Sequence, residues 1–205
     1  MERFFEGAFF RARRLAEQRI GEIAESLPRG QYPQDVDRVL VDAPREALGL
    51  ASAAFFRADE AGRFVRTAAV GWRDGDTRML DAGDRLVRYL HTMRSPARIA
   101  AINWDRTDVP HGTAAPALAL PIPLRDELYG FVLYGGHTWG ADLDPDEVGI
   151  IARLGPAAIA ACAYVRADGV RAELESWRTR AEQLQQRLDG PPAALKVAPT
   201  ADGPP

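Results

Sequence analysis

Between residues 2 and 27 the apolar positions fall three and four apart: Phe5, Phe9, Ala12, Ala16, Ile20, Ile23 and Leu27, with Arg and Glu between them. That spacing predicts an amphipathic helix, ended by Pro28, Gly30 and Pro33. A second helix is predicted over 34–48, with Val36, Val39, Leu40, Ala43 and Leu48 inward and Pro44 as a kink or interruption. The chain then turns strand-like. Residues 52–72 read as two strands flanking ADEAG, where Asp59, Glu60 and Gly62 suit a hairpin turn. A short helix is predicted over 84–94, with Leu86, Tyr89, Leu90 and Met93 on one side, and 95–116 reads as a long irregular loop.

LPIPLRDELYGFVLYGG, at 120–136, predicts a second hairpin. Residues 117–124 form one strand, which Pro121 and Pro123 assign to a sheet edge or a bulge. RDEL turns, and 130–136 run nearer the sheet centre, with Tyr129, Phe131 and Leu133 facing one way and Val132 and Tyr134 the other. Asp144, Pro145 and Glu147 then form a strong helix start. The helix is expected to reach Asp189 with a kink at Gly155-Pro156. The remaining sixteen residues hold five prolines and are expected to be disordered.

That last helix is the most informative physical feature. At 1.5 Å per residue, 145–189 would extend about 68 Å, against a diameter of roughly 35 Å for a domain of this size. About half of it should therefore project. Along that half Val170, Leu174, Trp177, Ala181, Leu184 and Leu188 alternate steps of four and three, a heptad seam. An isolated helix would leave the seam wet, so it is expected to pair with a second copy of the chain. Ile20, Ile23 and Leu27 of the first helix are candidates to join it as a four-helix bundle. The alternative is a helix folded back over its own domain. The expected organisation is a linker helix at 1–33, a domain at 34–168, a coiled-coil helix at 169–189 and a tail at 190–205.

Composition changes this picture little. The 205 residues are 46% hydrophobic and 27% charged, as in soluble globular proteins. Arginines greatly outnumber the single lysine, Lys196, yet the net charge is -3, so there is no general nucleic-acid footprint. One cysteine, Cys162, excludes an internal disulfide and a cysteine-based zinc site. No apolar run approaches 18 residues, and the start shows no signal-peptide pattern, so no membrane span and a cytoplasmic location are expected.

Two stretches carry a family resemblance. LALPIPLRDELYGFVLYGG (118–136) with LDPDEVGIIARLGPAAIAACAY (143–164) resembles the closing hairpin and capped helix of the GAF domain, a small-molecule-sensing module. The matching positions are Pro123-Leu124, Gly130-Phe131-Val132-Leu133 and Asp144 to Leu154, and PREALGLASAAFFRADEAGRFV (44–65) resembles the family's first helix and hairpin. FFEGAFFRARRLAEQ also resembles the linker helix entering GAF modules of membrane sensors, which implies a fragment or a shortened relative. The resemblance covers about 36–168. It implies an α+β fold: a central antiparallel sheet of five or six strands, terminal helices on one face, and a ligand on the other beneath residues 73–116. It further implies a sensory or regulatory domain, not an enzyme, that binds a small molecule and signals through a helical homodimer to a downstream protein. A ligand-free dimerisation module is the alternative, and a haem sensor the second.

The candidate pocket residues are Phe56, Trp72, Tyr89, Trp104, His111, Phe131 and Leu133, apolar and aromatic groups with one polar member. These side chains equally suit a filled core. No metal site is expected, and no cofactor is assigned. The family's cyclic-nucleotide members carry an Asn-Lys-x-Asp-like signature, absent here because Lys196 stands in the tail. Its methionine sulfoxide reductases need an attacking and a resolving thiol, which one cysteine cannot provide. Cys162 reads as a small buried hydrophobe. His111, in DVPHG, is the candidate haem ligand, with a plain loop histidine as the alternative.

Overall fold

The computed structural model describes residues 2–27 and 32–189, and the side chains of 14–27 and 32–186. The side chains of Phe5, Phe9, Ala12 and Leu188, the helix-ending Pro28 and Gly30, and the tail 190–205 lie outside the described residues. The chain divides into a folded unit ending at Arg166 and a second unit starting at Ala167.

In the folded unit, helices α1 (Glu2–Ser26) and α2 (Pro33–Leu48) precede the hairpin β1 (Ala53–Ala58) and β2 (Phe64–Val70). Short β3 (Met79–Leu80), α3 (Arg85–Met93), β4 (Ala97–Arg98) and α4 (Ile99–Ile102) follow, so the expected long loop contains structure of its own. The hairpin β5 (Pro116–Leu124) and β6 (Glu127–Gly135) leads to α5 (Pro145–Ala152) and α6 (Leu154–Asp189). The six strands form one antiparallel sheet in the order β3-β2-β1-β6-β5-β4.

The prolines of β5 sit where the sheet tolerates them. β4 pairs with β5 only at Ala119 and Leu118, so Pro121 and Pro123 lie where β5 is locally an edge. The register also shifts between Ile122 and Pro123: Ile122 opposes Gly130 while Pro123 opposes Leu128. Tyr129 is the extra residue of that bulge. This corrects the simple alternation expected of β6. Phe131 and Leu133 face one side, but Tyr129 joins Val132 and Tyr134 on the other. Gly130 is required beside it, because a Cβ there would stand 2.6 Å from the Phe56 carbonyl oxygen.

The helices cover one face of the sheet. Leu40, Val41, Phe55, Val132, Tyr134, Ile151 and Leu154 form its core, each at most 1% exposed. Ile20 and Leu27 lie in the same core at 2% and 3%, and Ile23 packs against it. These three α1 residues thus serve the interior of their own chain: with Ala16 they form the described part of the α1 apolar stripe, and it packs into this core.

Pro44 does not interrupt α2. A proline there removes the N–H that would bond the Leu40 carbonyl. The fully buried Tyr134 hydroxyl donates to that carbonyl instead, at 2.7 Å. Replacing Tyr134 by Phe should leave a buried acceptor bare and cost about 1–3 kcal/mol, measured as a shift in the urea midpoint at unchanged slope. A loss below about 0.5 kcal/mol would show that the hydroxyl is not needed there.

The start of α5 forms as its sequence predicts. The Asp144 carboxylate accepts from the N–H groups of Asp146 and Glu147, and the Glu147 carboxylate accepts from the Asp144 N–H. Glu147 also lies 3.0 Å from His137 Nε2, while His137 Nδ1 lies 2.9 Å from the Leu48 carbonyl oxygen. One buried ring therefore ties the end of α2 to the start of α5. The expected kink is a break at Arg153, between α5 and α6 and just ahead of Gly155-Pro156. A window within Pro145–Gln186 reaches a mean hydropathy of 1.7, and 44% of it is buried inside the protein. Its Ile150, Ile151, Ala158, Ala161 and Val165 are core residues.

Candidate ligand site

The sheet face opposite the helices is where the sequence reading places a ligand. It is closed by α3 and α4, whose Leu86, Leu90 and Ile102 are at most 2% exposed. Phe56, Phe131 and Leu133 are fully buried there and belong to one apolar cluster. The Phe56 and Phe131 rings stack 5.4 Å apart, Phe64 tilts on Phe131 at 5.4 Å, and Trp72 meets Phe56 edge-on at 5.6 Å. Trp72, Tyr89 and Trp104 are half-buried around the cluster. Six of the seven candidate pocket residues are thus brought together, and they pack on one another. His111 is exposed and stands outside the cluster, before the 3-10 turn Gly112–Ala114.

The polar groups of the roof explain why Trp104 stands where it does. Its indole N–H donates to Asp84 Oδ1 at 2.9 Å, while the same oxygen accepts the Leu86 N–H as the cap of α3. Asp84 Oδ2 accepts from Arg106 at 3.0 Å, and Arg106 forks onto both oxygens of Asp108 at 2.7 and 2.6 Å. The hydrogen bond from Arg106 is the main cause holding the Asp108 carboxyl down at about 2. This network joins Thr77, α3 and the loop after α4, and it makes Trp104 a strut of the roof.

Arg66, which the sequence reading overlooked, opposes Phe56 across the hairpin and lies 5.4 Å above the Trp72 ring. Its Nη2 donates to the Arg73 carbonyl at 3.1 Å. Arg66 Nη1 and Trp72 Nε1 are buried donors without a protein acceptor. The signal for Arg66 is an arginine at a strand position whose cross-strand neighbour is a core phenylalanine, legible only once the register is known.

A cleft of about 710 Å³ opens at the end of the sheet, between α3 and the two hairpin turns. Phe64, Val87 and Leu128 give it apolar walls, and Arg88, His91 and Arg166 stand on its rim. Arg166 reaches Glu127 in the β5–β6 hairpin with two contacts of 3.2 Å. None of the seven sequence-chosen pocket residues lines it. Its size falls within the range of small-molecule sites, about 300–1,000 Å³. A search of the sequence for it fails because its walls come from four separate segments.

Cys162 lies on α6 in the helix-side core, 2% exposed, and burial pushes its thiol up to about 12. Such a thiol is a packing group and a poor nucleophile. Among the described residues no group of three or more His, Cys, Asp and Glu side chains is placed to hold a metal ion.

No protein-family model and no curated protein matches the sequence. Solved structures do match. The GAF domain of a phosphoenolpyruvate-protein phosphotransferase from Coxiella burnetii superposes with a TM-score of 0.60 at 19% identity, covering 76% of this chain and 97% of that one. A segment of a methyl-accepting chemotaxis protein gives 0.55 at 18% identity, covering 71% and 97%. The free methionine-R-sulfoxide reductase from Neisseria meningitidis, solved with its substrate, gives 0.62 at 11% identity, covering 75% and 92%. At these identities the likeness is one of fold. With a six-stranded antiparallel sheet, helices on one face and a short-helix roof on the other, the folded unit has a GAF-like fold.

Proposed function

We propose that the chain is a sensory or regulatory module that works as a homodimer through the second half of α6, and that it is not an enzyme. The observation carrying this reading is the exposed seam of the second unit. Val170, Leu174, Trp177 and Leu184 are 53%, 55%, 60% and 60% exposed and recur at heptad steps. Most of a helix's stability in water comes from packing its apolar face, so burying the seam in a second copy is the natural source of its order. Leu174→Glu places two charges in that seam, and light scattering at about 10 μM should report a single subunit. The folded unit should melt as before, because Leu174 is a surface residue within its own chain. A dimer that survives Leu174→Glu would sink this reading.

The regulated state is set by a small molecule in the cleft beside α3. The roofed face is already filled by Phe56, Phe64 and Phe131, whereas the cleft is an open site among the described residues. A ligand preferring one arrangement of the cleft shifts the population of paired-helix states, and a downstream protein reads the pairing. The close packing of the roofed face also favours a second reading, a ligand-free dimerisation module. A thermal-shift screen against nucleotides and metabolites separates the two. A ligand at a hundred times its Kd adds about 2.7 kcal/mol, a shift of several degrees. No shift with any compound, with the dimer intact, selects the ligand-free module.

A further inference from the structure

The charges flanking the seam carry one step more, which rests on the dimer reading above. Assigning Leu174 and Ala181 to position a puts Val170, Trp177 and Leu184 at d. The g positions are then Glu173, Arg180 and Arg187, and the e positions Arg171, Arg178 and Gln185. In a parallel coiled coil each g residue faces the e residue five positions on in the partner helix. Glu173 then meets the partner's Arg178, twice by symmetry, and Arg180 meets the uncharged Gln185 of the partner. One heptad earlier the g position is Arg166, whose guanidinium is held by Glu127. In an antiparallel pair, e faces e and g faces g. The g flank can set Glu173 against the partner's Arg180, but the registers that do so bring Arg178 against its own copy on the e flank, where no carboxylate stands to offset it. Among the described residues Glu173 and Arg178 make no ion pair within the chain, so both are free for a partner.

The seam itself agrees. In register, the layer of two Trp177 indoles lies next to the layer of two Ala181 methyl groups, small beside large. Arg180 lies 5.6 Å over the Trp177 ring. We infer that the partner of this helix face is a second copy running parallel and in register, fixed by two Glu173–Arg178 ion pairs and a Trp177 layer.

The test uses the full chain with a cysteine introduced at a d position, Leu184→Cys, under mild oxidation, with the unaltered chain as control for the sealed Cys162. Parallel, in-register helices place the two new thiols side by side, and most of the protein should run as a covalent dimer. A one-to-one mixture of Leu174→Cys and Leu184→Cys chains should cross-link little across positions. The reverse result, strong cross-linking of the mixture and none of Leu184→Cys alone, means an antiparallel pair and overturns this inference while leaving the dimer reading standing. A single subunit by light scattering overturns both. Glu173→Arg should weaken the dimer about tenfold, and adding Arg178→Glu should restore it. No restoration by the double change would contradict the assigned pairing.

Discussion

Replacing Arg57 by Leu should destabilise the folded unit by about 3 kcal/mol at neutral pH. Asp37 enters the helix-side face from α2 and is 1% exposed. Its Oδ2 accepts the Thr67 hydroxyl at 2.7 Å and lies 3.4 Å from an Arg57 nitrogen, while its Oδ1 is buried with no partner. Burial raises the Asp37 carboxyl above its ordinary 3.8, with the Thr67 hydrogen bond and the Arg57 charge pulling it back. Leucine at 57 removes the compensating cation and leaves the carboxylate alone. Arg57 is itself only partly buried, 22% exposed at its side chain, so the low end of the 3–5 kcal/mol range for a broken buried pair applies.

The sign of the pH dependence follows. An acid whose folded value lies above its unfolded one binds more protons when folded. Its contribution to stability is full below 3.8 and is lost as pH rises through the raised folded value. Urea midpoints should therefore improve as pH falls through that window, more steeply in Arg57→Leu than in the unaltered protein. Changing both residues, Asp37→Leu with Arg57→Leu, should recover most of the loss. An Arg57→Leu protein as stable as its parent at pH 7 would mean that Asp37 is not the buried charge described here.

Phe131→Ala should be comparably severe, about 3–5 kcal/mol. Phe131 is fully buried at the sheet centre, stacked on Phe56 and touched by Phe64. Few neighbours can collapse into the space it leaves, because they hang from three hydrogen-bonded strands. Chemical denaturation reads the loss. If the roofed face were instead an open ligand chamber, the ring would lack packing on one side and its removal should cost about 1 kcal/mol, so the same measurement decides whether that face is solid.

Much of this fold is legible in the sequence because its signals are local. Asp144, Pro145 and Glu147 build a capping box within four residues. The prolines of β5 announce an edge, and β4 leaves them one. What is not legible depends on partners far along the chain. Pro44 reads as a helix breaker until Tyr134, ninety residues on, supplies the missing donor. Tyr129 reads as a neighbour of Phe131 until the bulge opposite Pro123 turns it over. Ile20 and Leu27 share the heptad look of Leu184, but only burial against α2 tells an intrachain stripe from an open seam. The candidate site divides in the same way. Aromatic residues chosen by type do cluster, yet the open cleft is lined by others, since a cavity is a property of surfaces meeting and not of any one segment.

Native mass spectrometry of the full chain as purified addresses the pairing of the second unit directly. The expected spectrum is dominated by a species of twice the 22.5 kDa chain mass, with any small-molecule adduct retained on the dimer. A spectrum of single 22.5 kDa chains at micromolar concentration would contradict helical pairing and the regulatory role built on it.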